Sequence, residues 1–250
     1  MTGAGACWAL PPNARTRHVL RALGHTTPTK TRILAGGVHS AKQQVVRIDR
    51  AGGRVRAAFA GHVERALARA LAAADAVIVS DYGSGLVTPE IWRRAQKTVG
   101  SKERAITLVD SRYALAKFEG MTACTPNEPE VEALLGVRIG DDPQALERAG
   151  RELLRRLHCA AVLVTRGSRG MALFERDRPT DHIPIVGTDQ IADVTGAGDT
   201  VIATFALALA AGASYPEAAR LANHAGGLVV MKRGTATVTA QELLASVSRR

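Results

Sequence analysis

From Ala76 onward short aliphatic runs alternate with longer amphipathic ones, and this alternation restricts the fold more than any other feature. Ala76–Asp81, Ala105–Asp110, Met121–Thr125 and Ala161–Thr165 have the apolar, β-branched composition of buried strands. Gly61–Ala74, Pro89–Val99, Glu128–Leu135 and Pro143–Leu157 have helical spacing. Strands apolar on both faces need helices on both sides, so the expectation is an α/β fold with a parallel, doubly covered sheet. Upstream, Thr31–Leu34 and Gln43–Asp49 flank Ala35-Gly36-Gly37 as a hairpin-like pair. Asp81, Asp110, Asn127 and Thr165 fall at or just after the C-terminal ends of predicted strands, where open α/β sheets bind ligands. At 250 residues, 46% hydrophobic but only 4% aromatic, the chain suits one domain with an aliphatic core.

The strongest local signal is Asp193-Val194-Thr195-Gly196-Ala197-Gly198-Asp199-Thr200, a glycine turn leading into an apolar run, Val201 to Ala211, that reads as a helix. Small residues let successive N–H groups converge, and the first turn of the helix adds unpaired donors and the positive end of its dipole. An anion is favoured there. Asp199 is suited to accept a proton from an attacking hydroxyl beside such a pocket, a pairing that points to phosphoryl transfer, although an Asp in the first turn also serves as a simple cap.

Other chemistries find no support. The chain has neither G-x-x-x-x-G-K-[ST] nor G-x-G-x-x-G, no H-E-x-x-H, and no G-x-S-x-G around Ser168. Cys7, Cys124 and Cys159 are odd in number and scattered, which argues against a disulfide framework or a zinc site and for a reducing, cytoplasmic setting. No apolar run is long enough to span a bilayer. The net charge of +10 concentrates in residues 1–56, which hold ten Lys or Arg against one acid, Asp49. With Trp8 the only aromatic there and no nucleic-acid motif, the expectation is no nucleic-acid partner, leaving a solvated basic face or a site for an anionic substrate.

The glycine turn resembles the C-terminal signature of the PfkB/ribokinase family of carbohydrate kinases, whose members have a ribokinase-like, three-layer Rossmann-type sheet. Three further elements follow in family order. Thr125-Pro126-Asn127-Glu128-Pro129-Glu130 is similar to the family's Asn-x-x-Glu element, Val164-Thr165-Arg166-Gly167-Ser168-Arg169-Gly170 to its nucleotide-side strand and turn, and Ala222-Asn223-His224-Ala225-Gly226-Gly227 to the helix flanking the adenine. The resemblance implies Asp199 as catalytic base and Gly196, Ala197 and Gly198 as anion hole. It implies ATP and Mg²⁺ as cofactors, contacted by Asn127, Glu128, Pro129, Glu130, Thr165, Gly167, Gly170 and Asn223, with Asn127 and Glu130 organising magnesium through water.

Within the family the likeness is to the heptose-7-phosphate kinase branch. Thr29-Lys30-Thr31-Arg32, Gln43 to Asp49, Ser80-Asp81-Tyr82 and Lys232 to Val238 carry it. It implies a sugar or sugar-phosphate substrate, with Lys30, Arg32, Arg47 and Asp81 as candidate contacts, and a homodimer as candidate assembly. Asp110-Ser111-Arg112 stands where the branch usually has Asp-Pro-Lys. The likeness covers 27–250, the expected kinase domain. Residues 1–26 form an atypical basic segment without the acidic residue and Gly-Gly-Ala-x-Asn element that hold the sugar in the family, so the N-terminal part reads as truncated. Two readings stand: an ATP-dependent sugar kinase of the heptose-7-phosphate type, or an inactive nucleotide-binding remnant of one.

Overall fold

The computed structural model describes residues 19, 26–36, 43–52, 59–99, 105–187 and 193–248; most of the expected 1–26 segment, including Cys7 and Trp8, lies outside them. Two sheets are present among the described residues. Strands β1 (Thr29–Ala35) and β2 (Gln43–Arg50) make an antiparallel pair, and six further strands run in the order β3-β4-β5-β6-β7-β8. These are β3 (Ala76–Asp81), β4 (Ile106–Ser111), β5 (Ala123–Cys124), β6 (Ala161–Thr165), β7 (Met171–Glu175) and β8 (Asp181–Ile183). The helices are α1 (Ala60–Ala73), α2 (Pro89–Val99), α3 (Glu128–Leu135), α4 (Pro143–Leu157), α5 (Ala197–Ala210), α6 (Tyr215–Val230) and α7 (Ala240–Val247).

The parallel order expected from the alternation holds for β3 to β6, while β7 and β8 are antiparallel additions. The reason is connection length. Only residues 166–170, with a 3-10 turn at Gly167–Arg169, separate β6 from β7, far short of the crossover a parallel neighbour requires. The turn closes on Gly170 at φ +76°, where a Cβ would overlap the Ile183 carbonyl, so the β6–β7 corner packs against the end of β8 through a glycine.

The sheet separates two cores. On one face Val77, Val79, Val109, Cys124, Val162 and Val164 pack with Trp92, Phe118, Leu146 and Leu153 of the α1–α4 side; on the other, Leu108, Ala123, Leu163 and Leu173 meet Val201, Phe205, Leu209 and Ala219 of α5 and α6. Alternate residues of each strand thus face opposite helix layers, the three-layer arrangement expected. Cys124 and Cys159 are both buried and free, and the hydrogen bond between them, followed by burial, pushes the Cys124 thiol up.

Helix starts follow local chemistry. Asn127, Ser214 and Thr239 each close a capping box with a Glu three residues on, and Asp142 caps α4 ahead of Pro143. Helix α5 begins differently: Gly196, at φ +81°, is its N-cap, and no side chain caps it. The apolar run therefore starts its helix four residues before Val201, within the glycine turn itself.

Candidate active site

At the start of α5 the Thr200 amide donates to the Gly196 carbonyl (2.9 Å), the first bond of the helix. The amides of Gly198 and Asp199 precede any i→i−4 acceptor, so the turn presents two orphan donors at the positive end of the dipole. The Ala197 N–H, expected to join them, donates to the Val194 carbonyl at 3.2 Å. Asp193 braces the turn from below: Oδ1 accepts from the Thr195 amide (2.9 Å), Oδ2 from the Gly234 amide (3.1 Å), and its own amide donates to the Val230 carbonyl (3.0 Å). The Thr195 hydroxyl and amide, the Gly234 amide and the charge of Arg32 hold its carboxyl below the usual carboxylate range.

Asp199 is exposed and reaches toward the ends of β3 and β4. The Tyr82 hydroxyl, one residue past β3, donates to Asp199 Oδ1 at 3.0 Å. Burial, and then the charge and hydrogen bond of Asp199, push the Tyr82 phenol up to about 12. On β4, Asp110 lies in register with Ser80. Burial, followed by the charges of Glu130, Asp199 and Asp81, pushes its carboxyl up to about 6. Asp81 secures the neighbouring strand ends, its Oδ1 accepting from the Gly83 amide and its Oδ2 from the Ser111 hydroxyl, both at 2.8 Å.

The β1–β2 hairpin supplies the opposing charge. Its register puts Lys30 opposite Asp49 and Arg32 opposite Arg47 on one face, with Thr31, Ile33, Val46 and Ile48 on the other. Lys30 Nζ lies 4.8 Å from the centroid of the Tyr82 ring, and Arg32 lies close enough to Asp193 to act on its charge, which turns the basic face toward the glycine turn. The like-charged Arg32–Arg47 pair is relieved because Arg47 bonds Asp49 at 2.9 Å. Of the three basic candidates, all on this face, Lys30 and Arg32 lie beside Tyr82 and Asp193, while Arg47 is engaged with Asp49 of the hairpin.

The Asn127 element lies across the sheet ends. Asn127 Oδ1 accepts from the Glu130 amide (2.9 Å) and Glu130 Oε2 from the Asn127 amide (3.0 Å); Asn127 also bridges to Thr165, whose amide donates to the Pro126 carbonyl (3.0 Å). Glu128 is buried and serves another purpose. Its two oxygens accept from Arg166 Nε (2.7 Å) and Arg169 Nη2 (2.5 Å), while both arginines also bond the Gly140 carbonyl. Glu128 thus clamps the 166–170 turn to α3. Pro129 is exposed in the first turn of α3. Gly167 sits in the turn at φ +57° with open space around it, Gly170 is closed in as described, and Asn223 is buried with its Nδ2 donating to the Pro184 carbonyl at 2.7 Å. The Asn223 amide is therefore directed into the protein, fixing α6 against the segment after β8.

Among the described residues no group of three or more His, Cys, Asp or Glu is arranged to cage a metal ion. Glu130, Asp110 and Asn127 carry hard oxygen donors of the kind that a largely hydrated Mg²⁺ ion uses, with Asn127 Oδ1 and Glu130 Oε2 engaged in the capping box. The site missed in the sequence is mostly polar bracing: Asp193, Tyr82 and the Arg166–Arg169 pair. Only Asp193 carried a local signal, an Asx spacing to Thr195.

A glycine turn with orphan amides, an acidic cluster at the strand ends and a basic hairpin above them define an α/β protein equipped to bind an anionic ligand. Residues 24–242 match the pfkB family of carbohydrate kinases, and the chain belongs to that family. It is 40% identical over 230 residues to the bifunctional protein HldE of Trichlorobacter lovleyi, a match covering 90% of this chain and 45% of that protein. It is 38% identical to HldE of Geobacter sulfurreducens, with 89% and 44% covered. The chain thus spans about half the length of these curated relatives. The fold is similar to that of Escherichia coli phosphofructokinase-2 (TM-score 0.70, 20% identity, 81% of this chain and 65% of that one). It is also similar to Arabidopsis thaliana ribokinase complexed with ribose and ATP (TM-score 0.67, 22% identity, 90% and 70%).

Proposed function

We propose that this chain transfers the terminal phosphoryl group of ATP to a hydroxyl of a sugar phosphate, heptose 7-phosphate being the substrate to test first. The observation that carries the reading is the convergence, on one end of the sheet, of Asp199, the orphan amides of Gly198 and Asp199, and the cations Lys30 and Arg32. Asp199 takes the proton of the acceptor hydroxyl as that oxygen attacks. The amides donate to the phosphoryl oxygens as charge develops there. Lys30 and Arg32 hold the anionic group of the acceptor. Glu130 and Asn127 would hold magnesium through its water shell, and the ion would supply charge neutralisation for the nucleotide phosphates when bound. The heptose assignment rests on the branch motifs and on 38–40% identity to a bifunctional protein of which this chain matches one half. The two reduced core thiols suit a cytoplasmic protein.

The test is ADP release from Mg-ATP with heptose 7-phosphate. Asp199→Asn is expected to lower turnover about 10²- to 10⁴-fold with nucleotide affinity, measured by calorimetry, nearly unchanged. Equal rates in both proteins refute the base assignment. Nucleotide binding without turnover on a panel of sugar phosphates selects the remnant reading.

A further inference from the structure

We infer that Tyr82 is a positioning residue for the Asp199 carboxylate: its hydroxyl holds Oδ1, leaving Oδ2 to receive the acceptor's proton. The inference rests on reading Asp199 as the base and assigns a role to a side chain that the phosphoryl-transfer scheme does not use.

Asp199 is exposed in the first turn of α5, whose N-cap is a glycine and offers no side chain to it. The 3.0 Å bond from Tyr82 joins it to a residue 117 positions away, at the end of β3. Tyr82 is anchored in turn. The preceding Asp81 bonds the Gly83 amide and the Ser111 hydroxyl, fixing the backbone on either side of Tyr82, and Lys30 of the hairpin sits over its ring. The base is therefore aligned from the sheet rather than from its own helix. The phenol stays neutral and donates throughout the working pH range, since its pKa lies near 12. The same contact links the basic hairpin to the base: a hairpin displaced from the crevice takes Lys30 off the ring of the residue that orients Asp199.

Tyr82→Phe removes only the hydroxyl and keeps the ring under Lys30. With Mg-ATP and heptose 7-phosphate, kcat is expected to fall about 5- to 20-fold with KM for ATP unchanged. In an Asp199→Ala background the same change costs nothing further, because the partner is gone. An equal loss in both backgrounds, or full kcat in the single variant, overturns the inference. If Asp199→Ala leaves turnover intact, it is the base assignment that fails, and the contact is then read without catalysis. The tyrosine ring doublet of the Raman spectrum reports phenol hydrogen bonding, and subtracting the Tyr82→Phe spectrum isolates Tyr82 from Tyr113 and Tyr215. A donor signature that disappears in Asp199→Ala supports the pairing, and one that is unchanged overturns it.

Discussion

At the residue scale the site stores unfavourable charge. Asp110 shares the strand ends with Asp81, Glu130 and Asp199, and its carboxyl lies near 6 rather than 3.8. The folded state thus holds a proton on Asp110 more tightly than the unfolded chain does. Its contribution is neutral below about pH 4, and stability declines as pH rises from about 4 to 6. Above that the ionised group is a constant penalty. Asp110→Asn should therefore stabilise the protein by about 1 kcal/mol at pH 7.5, a figure reduced for the partial exposure of the group, and by nothing at pH 4. Denaturant melts of both proteins at the two pH values check this; equal differences at both would show that neither burial nor the neighbouring carboxylates push the Asp110 carboxyl up.

At the element scale, what joins the glycine turn after β6 to the start of α3 is electrostatic. Glu128 is buried and paired with Arg166, itself largely buried, and with the more exposed Arg169. Every buried side-chain polar atom among the described residues has a partner, so removing one end of this clamp strands the other. Glu128→Gln is expected to cost about 3 kcal/mol by leaving the Arg166 charge uncompensated, whereas Arg169→Ala costs less because its guanidinium reaches water. Urea denaturation midpoints at constant slope measure both; a Glu128→Gln protein as stable as the parent would mean that the pair is neutral where it stands. Since Asn127 and Thr165 bridge beside the clamp, its loss is also expected to weaken nucleotide binding more than it lowers kcat.

At the scale of the whole molecule, the hairpin turns one face to the site and leaves the other apolar. Ile33, Val46 and Ile48 are 47%, 43% and 41% exposed on that outer face. Among the described residues β3 has no hydrogen-bonded neighbour beyond β4. We propose a second copy of the chain as the occupant of the hairpin's outer face, the homodimer that the family resemblance already suggests, since an exposed apolar face is what an isologous contact buries. Sedimentation at micromolar concentration should show a dimer, and Val46→Lys with Ile48→Lys should shift it to monomer without lowering the melting temperature by more than a few degrees. A parent protein that sediments as a monomer at the highest soluble concentration refutes the proposal.

The sequence by itself determined the strand–helix alternation, the layers it demands and the position of the candidate ligand residues at strand ends, because periodicity and capping are local properties that neighbouring residues decide. Glu128–Leu135, Pro143–Leu157 and Ala161–Thr165 were legible to the residue. The Asp199 turn was legible too, since its glycines and helix lie within one short segment. Tertiary structure alone decided the rest. A five-residue corner made β7 antiparallel, and no composition signal distinguishes that from another buried strand. Burial against Arg166 and Arg169, 38 and 41 residues away, made Glu128 a clamp when its motif implied a phosphate contact. The approach of β3 to α5 brought Tyr82 onto Asp199, and packing turned Asn223 inward to Pro184. In each case the deciding force is a hydrogen bond or charge between residues distant in the chain, whose strength depends on a separation that exists only once the layers have closed.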